Sequence, residues 1–203
     1  MKVSNKVSVV NNFSVQNLLQ TLWAVIGLFL TTGATFLQGY IIGGNLAIQP
    51  INVSLQIGAV LLTGCVGGKN AGMFAQVMYL FLGLTDYGVF FQGGGINYWR
   101  SPAFGFLLGF VPAGYLCGFL AFKGKGKVTL TQLTLICTLG LIVIHLVGAI
   151  YLILLGLLTG TSDDPFPFAE NLMQYSVQKI PGQFLIVCTT ALLSYLLRLI
   201  LLY

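Results

Sequence analysis

Residues 18–38 read LLQTLWAVIGLFLTTGATFLQ, and they sit inside a longer segment, between Lys6 and Lys69, whose 62 residues carry no charge of either sign. One helical crossing of a bilayer takes about 20 apolar residues. This segment alone therefore has the length for more than one crossing. Across all 203 residues, 57% are hydrophobic and 6% are charged, against about a quarter charged in soluble domains. Such a chain cannot clothe a water-facing surface, which excludes a soluble globular enzyme. A nucleic-acid binder is excluded too, because the net charge of +5 is scattered and forms no basic stripe.

Working outward, the apolar runs predict an all-α integral membrane protein with six transmembrane helices. They cover about residues 18–38, 53–66, 71–84, 103–122, 128–158 and 180–203. Residues 1–17 form a polar tail ahead of the membrane domain, 18–203. The tail shows no small-residue cleavage signature, so the first span is expected to be retained. Between the first two spans, the Gly/Asn/Gln/Pro stretch 39–52 breaks the apolar pattern. With the N-terminus cytoplasmic, Lys2, Lys6, Lys69, Lys123, Lys125, Lys127 and Arg198 fall inside, and only Arg100 and Lys179 fall outside with all four acids. That is a positive-inside bias, and an even number of spans puts the C-terminus in the cytoplasm as well.

Small and polar residues mark the packing faces. Ala24, Gly27, Thr31 and Ala34 recur at helical spacing on the first helix, and such a stripe allows close backbone approach by another helix or a second protein. Gly105/Gly109 and Gly114/Gly118 give the fourth helix two GxxxG pairs that suit internal packing. The third helix carries Gly72, Gln76, Tyr79 and Gly83 on one face. Gln76 is costly in lipid, so it is expected either to bond a neighbouring helix or to line a cavity. Cys65, Cys117, Cys137 and Cys188 all lie in apolar stretches with no CxxC spacing, and read as small core fillers.

The connection 85–101 is the richest in recognition chemistry. It holds Gly93, Gly94 and Gly95, with the aromatics Tyr87, Phe90, Phe91, Tyr98 and Trp99, the amides Gln92 and Asn97, and the cation Arg100. A small-molecule pocket combines apolar walls with a few convergent polar groups in this way. Arg100 either pairs with a ligand carboxylate or snorkels from an interfacial aromatic belt.

Several ordered blocks carry a family resemblance: Gln49-Pro50-Ile51-Asn52-Val53-Ser54-Leu55-Gln56, the Gly67-to-Gly72 turn, Gln76 and Tyr79, and Pro102, Gly105, Phe106, Leu107, Gly109 and Phe110. Over about residues 49–122 the chain resembles the BioY family, biotin-binding S components of energy-coupling-factor (ECF) transporters. The resemblance implies a six-helix S-component bundle that captures biotin from outside. Its partners are a transmembrane ECF coupling subunit and two ATPase subunits. It also implies that Gln76, Tyr79, Gln92, Asn97 and Gln183 satisfy the ureido ring, with Phe90 and Tyr98 among the enclosing aromatics and Arg100 on the carboxylate. The expected membrane is a bacterial inner membrane or its organellar equivalent.

The chain departs from the family at the start of the last helix. Family members read Pro-Gly-Asp-x-x-Lys there, whereas this chain reads Pro181-Gly182-Gln183-Phe184-Leu185-Ile186. Gln183 still bonds a ureido group, but Ile186 cannot pair with a carboxylate. Arg100 or Lys179 supplies the charge, or affinity falls, or the ligand differs. Phe91 replaces a small family residue, and the Ala24/Gly27/Thr31/Ala34 stripe stands where S components use Ala-x-x-x-Ala toward the coupling subunit.

Two other functions compete. A BioY-like structural subunit of a larger membrane complex would need no ligand. An intramembrane enzyme has little to work with: His145 is the sole histidine, and Asp163, Asp164 and Glu170 lie in a Pro-containing outer loop. His145 is expected to bond a neighbouring helix, and the acids to form a solvated lid. No GxxxxGK[ST] phosphate loop is present, so ATP hydrolysis falls to partners.

Overall fold

Helices form where the apolar runs lie. The computed structural model describes residues 2–42, 48–85, 87–91, 93–124, 127–160 and 166–201. In chain order these make α1 Lys2–Thr35, a hairpin of β1 Gln38–Ile42 and β2 Ile48–Ser54, α2 Gln56–Gly67, α3 Lys69–Gly83, α4 Phe104–Leu108, α5 Phe110–Ala121, α6 Leu130–Thr159, α7 Phe168–Tyr175 and α8 Ile180–Ile200. Short 3-10 turns at Ile96–Arg100 and Val177–Lys179 precede α4 and α8.

Local chemistry sets several boundaries. A reciprocal capping box opens α6: Thr129 Oγ1 accepts from the Gln132 N–H at 3.3 Å, and Gln132 Oε1 accepts from the Thr129 N–H at 2.9 Å. The expected fourth helix is divided into α4 and α5. Pro112 has no N–H to give the Leu108 carbonyl, and its ring crowds that carbonyl, so the regular ladder breaks at Gly109. The first helix extends over residues 2–17, expected as a polar tail, although its apolar membrane-length part is Asn17–Thr35.

The all-α expectation needs one correction. The stretch 39–52 is not merely a break, because β1 and β2 pair antiparallel with Tyr40 opposite Pro50 and Ile42 opposite Ile48. The register shifts between Gln38 and Tyr40, and across from that shift Asn52 takes φ +52°. Asparagine tolerates this left-handed conformation better than most residues.

Among the described residues, four segments are long and apolar enough to cross a membrane: Asn17–Thr35, Phe104–Ala121, Leu130–Thr159 and Phe168–Ile200. The 12-residue α2 and 15-residue α3 reach only about 18 and 22 Å at 1.5 Å per residue. Both are nevertheless central, since α2 packs on α1, α3, α5 and α8, and α3 packs on α1 and α5. Glycines bring α2, α3 and α5 together: a Cβ on Gly72 or on Gly64 would fall 2.5 Å from the Gly114 carbonyl oxygen. Cys65 of α2, Cys117 of α5 and Cys137 of α6 are buried as expected, with the Cys65 and Cys137 sulfurs 3.7 Å apart, whereas Cys188 of α8 is exposed and is not a core filler.

The small-residue stripe on α1 does not face outward. Ala24, Thr31 and Ala34 are buried, and a Cβ on Gly27 would lie 2.3 Å from Thr63 Cγ2 and 3.0 Å from Ala75 Cβ. α2 and α3 of the same chain cover it, so this stripe forms an internal seam. α1 exposes apolar side chains that include Leu18, Leu22, Ile26 and Phe29.

The two ends of the bundle differ. At one end the buried Arg198 of α8 holds the last turns of α2 and α5. At the other gather the hairpin, the 85–103 connection and α7, joined by Lys179 Nζ donating to the Asn52 carbonyl at 2.8 Å and by Tyr151 Oη donating to the Trp99 carbonyl.

Candidate functional site

Between α2, α4, α6 and α8, at the hairpin end, lies a cavity of about 130 Å³. Ser54 and Gln56 line one side, where β2 runs into α2. Phe106, Leu107 and Phe110 line a second side, and Ile144, Tyr175 and Gln183 close the rest. Apolar walls with a few polar groups are the composition of a ligand site. A wider groove of about 420 Å³ between α6 and the Phe166–Phe168 segment has only apolar side chains and glycines around it, so it lacks recognition chemistry.

Each cavity amide is held from behind. Gln56 Nε2 donates to Tyr79 Oη at 2.7 Å, and Tyr79 Oη meets Thr35 Oγ1 at 3.1 Å. Thr35 Oγ1 in turn donates to the Thr31 carbonyl at 2.8 Å. On the other wall, Gln183 Oε1 lies 2.7 Å from His145 Nε2, and His145 Nδ1 lies 2.8 Å from Ser176 Oγ. Ser176 closes α7, so this chain of bonds also ties α7 to α6 and α8. The His145 ring packs edge-on against Phe106, which stacks on Tyr175 with centroids 6.2 Å apart.

The expected binding residues divide sharply. Gln183 lines the cavity. Tyr79 is buried behind Gln56, one bond removed from the cavity. Gln76 faces α1, where its Nε2 donates to Thr31 Oγ1 at 3.1 Å, and its buried Oε1 has no partner. Of its two expected positions, the structure therefore selects a bond to a neighbouring helix.

The glycine-rich connection does not line this cavity among the described residues. Phe90 fills the space above Gly83, where a Cβ would fall 2.0 Å from its ring, and packs on Tyr79, Tyr98 and Phe104. Burial pushes the Tyr98 phenol above its ordinary pKa. Asn97 is exposed. Arg100 is exposed also, its guanidinium 5.3 Å from the Trp99 ring centre. Gln92, Asp86, Asp163 and Asp164 lie outside the described residues.

Sequence reasoning missed Ser54, Gln56, Phe106 and Tyr175 as lining residues, and Ser176 as the partner of His145. Ser54, Gln56 and Phe106 stood inside the family-like blocks, which was the available signal. Tyr175 and Ser176 had none. Among the described residues no three His, Cys, Asp or Glu side chains come together as a metal site.

A bundle with four membrane-length apolar segments among the described residues and a recess fringed by amides defines a multi-span helical membrane protein. The chain belongs to the BioY family, whose profile matches residues 8–201. It is 28% identical over 157 residues to an uncharacterized 21.2 kDa protein in the psbX-ycf33 intergenic region of Cyanophora paradoxa, covering 77% of this chain and 79% of that one. It is 37% identical over 99 residues to a probable biotin transporter BioY of Lysinibacillus sphaericus, a match spanning 49% of this chain and 50% of the relative. The match to a probable biotin transporter BioY of Pyrococcus horikoshii is 34% identical over 110 residues, or 53% of this chain and 62% of the relative. The crystal structure of the S-component for biotin from an ECF-type ABC transporter superposes with a TM-score of 0.67 and 24% identity, covering 93% of each chain. That likeness establishes the fold.

Proposed function

We propose that this chain is the membrane subunit that captures biotin for uptake, energised by partner ATPases and not by itself. Family membership and the names of its relatives support this reading. The observation that carries it is the pair of carboxamides, Gln56 and Gln183, on opposite walls of one otherwise largely apolar cavity. A ureido ring asks for such amide partners, and Phe106, Leu107 and Phe110 offer an apolar enclosure for the fused ring. Lys179 supplies the charge for the carboxylate. It sits one turn before Gln183 and reaches the Asn52 carbonyl, two residues from Ser54.

The chain crosses the membrane six times, with α2 and α3 as short passes and both termini in the cytoplasm of a bacterial inner membrane or its organellar equivalent. The charges support this orientation: Lys69, Lys123, Lys127 and Arg198 belong to the end opposite the cavity, while Arg100, Lys179 and Glu170 belong to the cavity end. Ligand sites run to roughly 300–1,000 Å³, so α7 acts as a lid that moves outward as biotin enters. Two ATPases and a transmembrane coupling subunit then drive release inside.

The test is radiolabelled biotin accumulation in cells that depend on this chain, co-expressed with ECF coupling and ATPase subunits. Accumulation that requires both this chain and the ATPases is expected. Accumulation independent of this chain contradicts the reading. A structural subunit of a larger membrane complex is the second reading, favoured by the buried, apolar Ile186 at 5% exposure. Recovery in a stable complex lacking ATPases favours it.

A further inference from the structure

The two cavity amides are not free to turn, and the bonds that hold them fix which end of each faces a ligand. Thr35 has one hydroxyl proton, and it is committed to the Thr31 carbonyl. Tyr79 must therefore donate toward Thr35, with a longer contact of 3.5 Å to the Val89 carbonyl. The Tyr79 oxygen is left as an acceptor for Gln56 Nε2. That turns Gln56 Nε2 away to its anchor, and among the described residues Gln56 Oε1 has no donor. Gln56 thus offers the cavity an acceptor.

The opposite wall has the opposite polarity. An amide oxygen has no proton to give, so the contact between Gln183 Oε1 and His145 Nε2 requires the proton on Nε2. With the single proton of the neutral ring on Nε2, Nδ1 accepts from the Ser176 hydroxyl. Gln183 Nε2 then has no acceptor among the described residues, and Gln183 offers the cavity N–H donors.

We infer that the cavity is a polarised cleft for a ring bearing adjacent N–H and C=O groups. Gln56 Oε1 takes the ligand N–H and Gln183 N–H takes the ligand carbonyl, with His145 and Ser176 on one wall and Tyr79 and Thr35 on the other as positioning residues. This rests on the biotin reading and deepens it, because a cyclic urea is a ring of this kind. A site with fixed donors and acceptors rejects a ligand whose polarity is reversed, since buried groups are then left unpaired.

The test compares dissociation constants of detergent-purified protein for biotin and for 2-iminobiotin, whose ureido oxygen is replaced by an imine that is protonated at neutral pH. Wild-type protein is expected to prefer biotin by on the order of 10²-fold. Gln183→Glu keeps an acceptor for His145 but offers the ligand no donor, so the preference collapses or inverts. His145→Phe lowers the preference by about tenfold, and His145→Gln, which restores an N–H toward Gln183, recovers it. Desthiobiotin, which keeps the urea, tracks biotin throughout. An unchanged biotin-to-iminobiotin ratio in folded Gln183→Glu or His145→Phe protein overturns the polarity assignment while leaving biotin binding intact. Wild-type protein that binds neither ligand overturns both this inference and the function it rests on.

Discussion

Arg198, near the end of α8, donates from Nη1 to the carbonyl oxygen of Cys65 in the last turn of α2, at 2.7 Å. From Nη2 it donates to the Ala121 carbonyl at the end of α5 at 3.1 Å, and its guanidinium lies 4.4 Å from the Phe122 ring centre. Carbonyls of a last helical turn have no partner within their own helix. One cation therefore satisfies two helix ends and pins a third helix to them. Arg198→Ala is expected to cost about 2–4 kcal/mol, by stranding buried carbonyls. A lower thermal midpoint in detergent, partly restored in Arg198→Lys, checks this.

The α2–α3–α5 junction makes a sharper packing prediction. Gly72→Ala places a methyl 2.5 Å from the Gly114 backbone oxygen. Backbone cannot turn aside as a side chain does, so a loss of about 1–3 kcal/mol is expected. Gly33 has nothing within 4 Å of its would-be Cβ, and Gly33→Ala is expected to be neutral or to stabilise by up to about 1 kcal/mol. Paired melting curves of the two variants read the difference.

Phe90 caps Gly83 and is 1% exposed. Phe90→Ala opens a void beside Tyr79 and is expected to destabilise by about 3–5 kcal/mol. Because Phe90 does not line the cavity, biotin affinity measured on the surviving folded fraction is expected to change far less than the melting temperature.

The family resemblance put Arg100 on the ligand carboxylate with Lys179 as the alternative, and the proposed function uses Lys179. Arg100→Ala is expected to leave biotin affinity within about twofold, as for a solvated surface cation. Lys179→Ala is expected to weaken it by roughly three- to tenfold. Titration calorimetry on both variants decides the assignment, and a larger loss in Arg100→Ala reverses it.

Much of the architecture was legible because span length and charge-free runs are properties of composition. The polar face of α3 was legible too, but periodicity names a face and not the neighbour it meets. Gln76 found Thr31 across α1, while Tyr79 found Gln56. The hairpin was hidden because 39–52 has glycine, proline and asparagine where strands usually alternate. Only pairing with the returning segment makes a strand of it. The glycine-aromatic connection was hard to read for a related reason: aromatics that could wall a ligand also pack on one another, and Phe90 over Gly83 does so. On the α8 side, Gln183 was found from its place in a motif, whereas Tyr175 belongs to an eight-residue helix whose position depends on long-range contacts.

The central claim is that biotin occupies the recess walled by Gln56, Phe106 and Gln183. Ala103 lines the same recess, and an indole there fills it without removing any polar partner. Calorimetric titration of biotin into the purified wild-type chain and into Ala103→Trp is the direct measurement. Saturable one-site binding to the wild type, abolished in a folded Ala103→Trp protein, is the result expected. Equal binding by both proteins, or no binding by the wild type, contradicts the account.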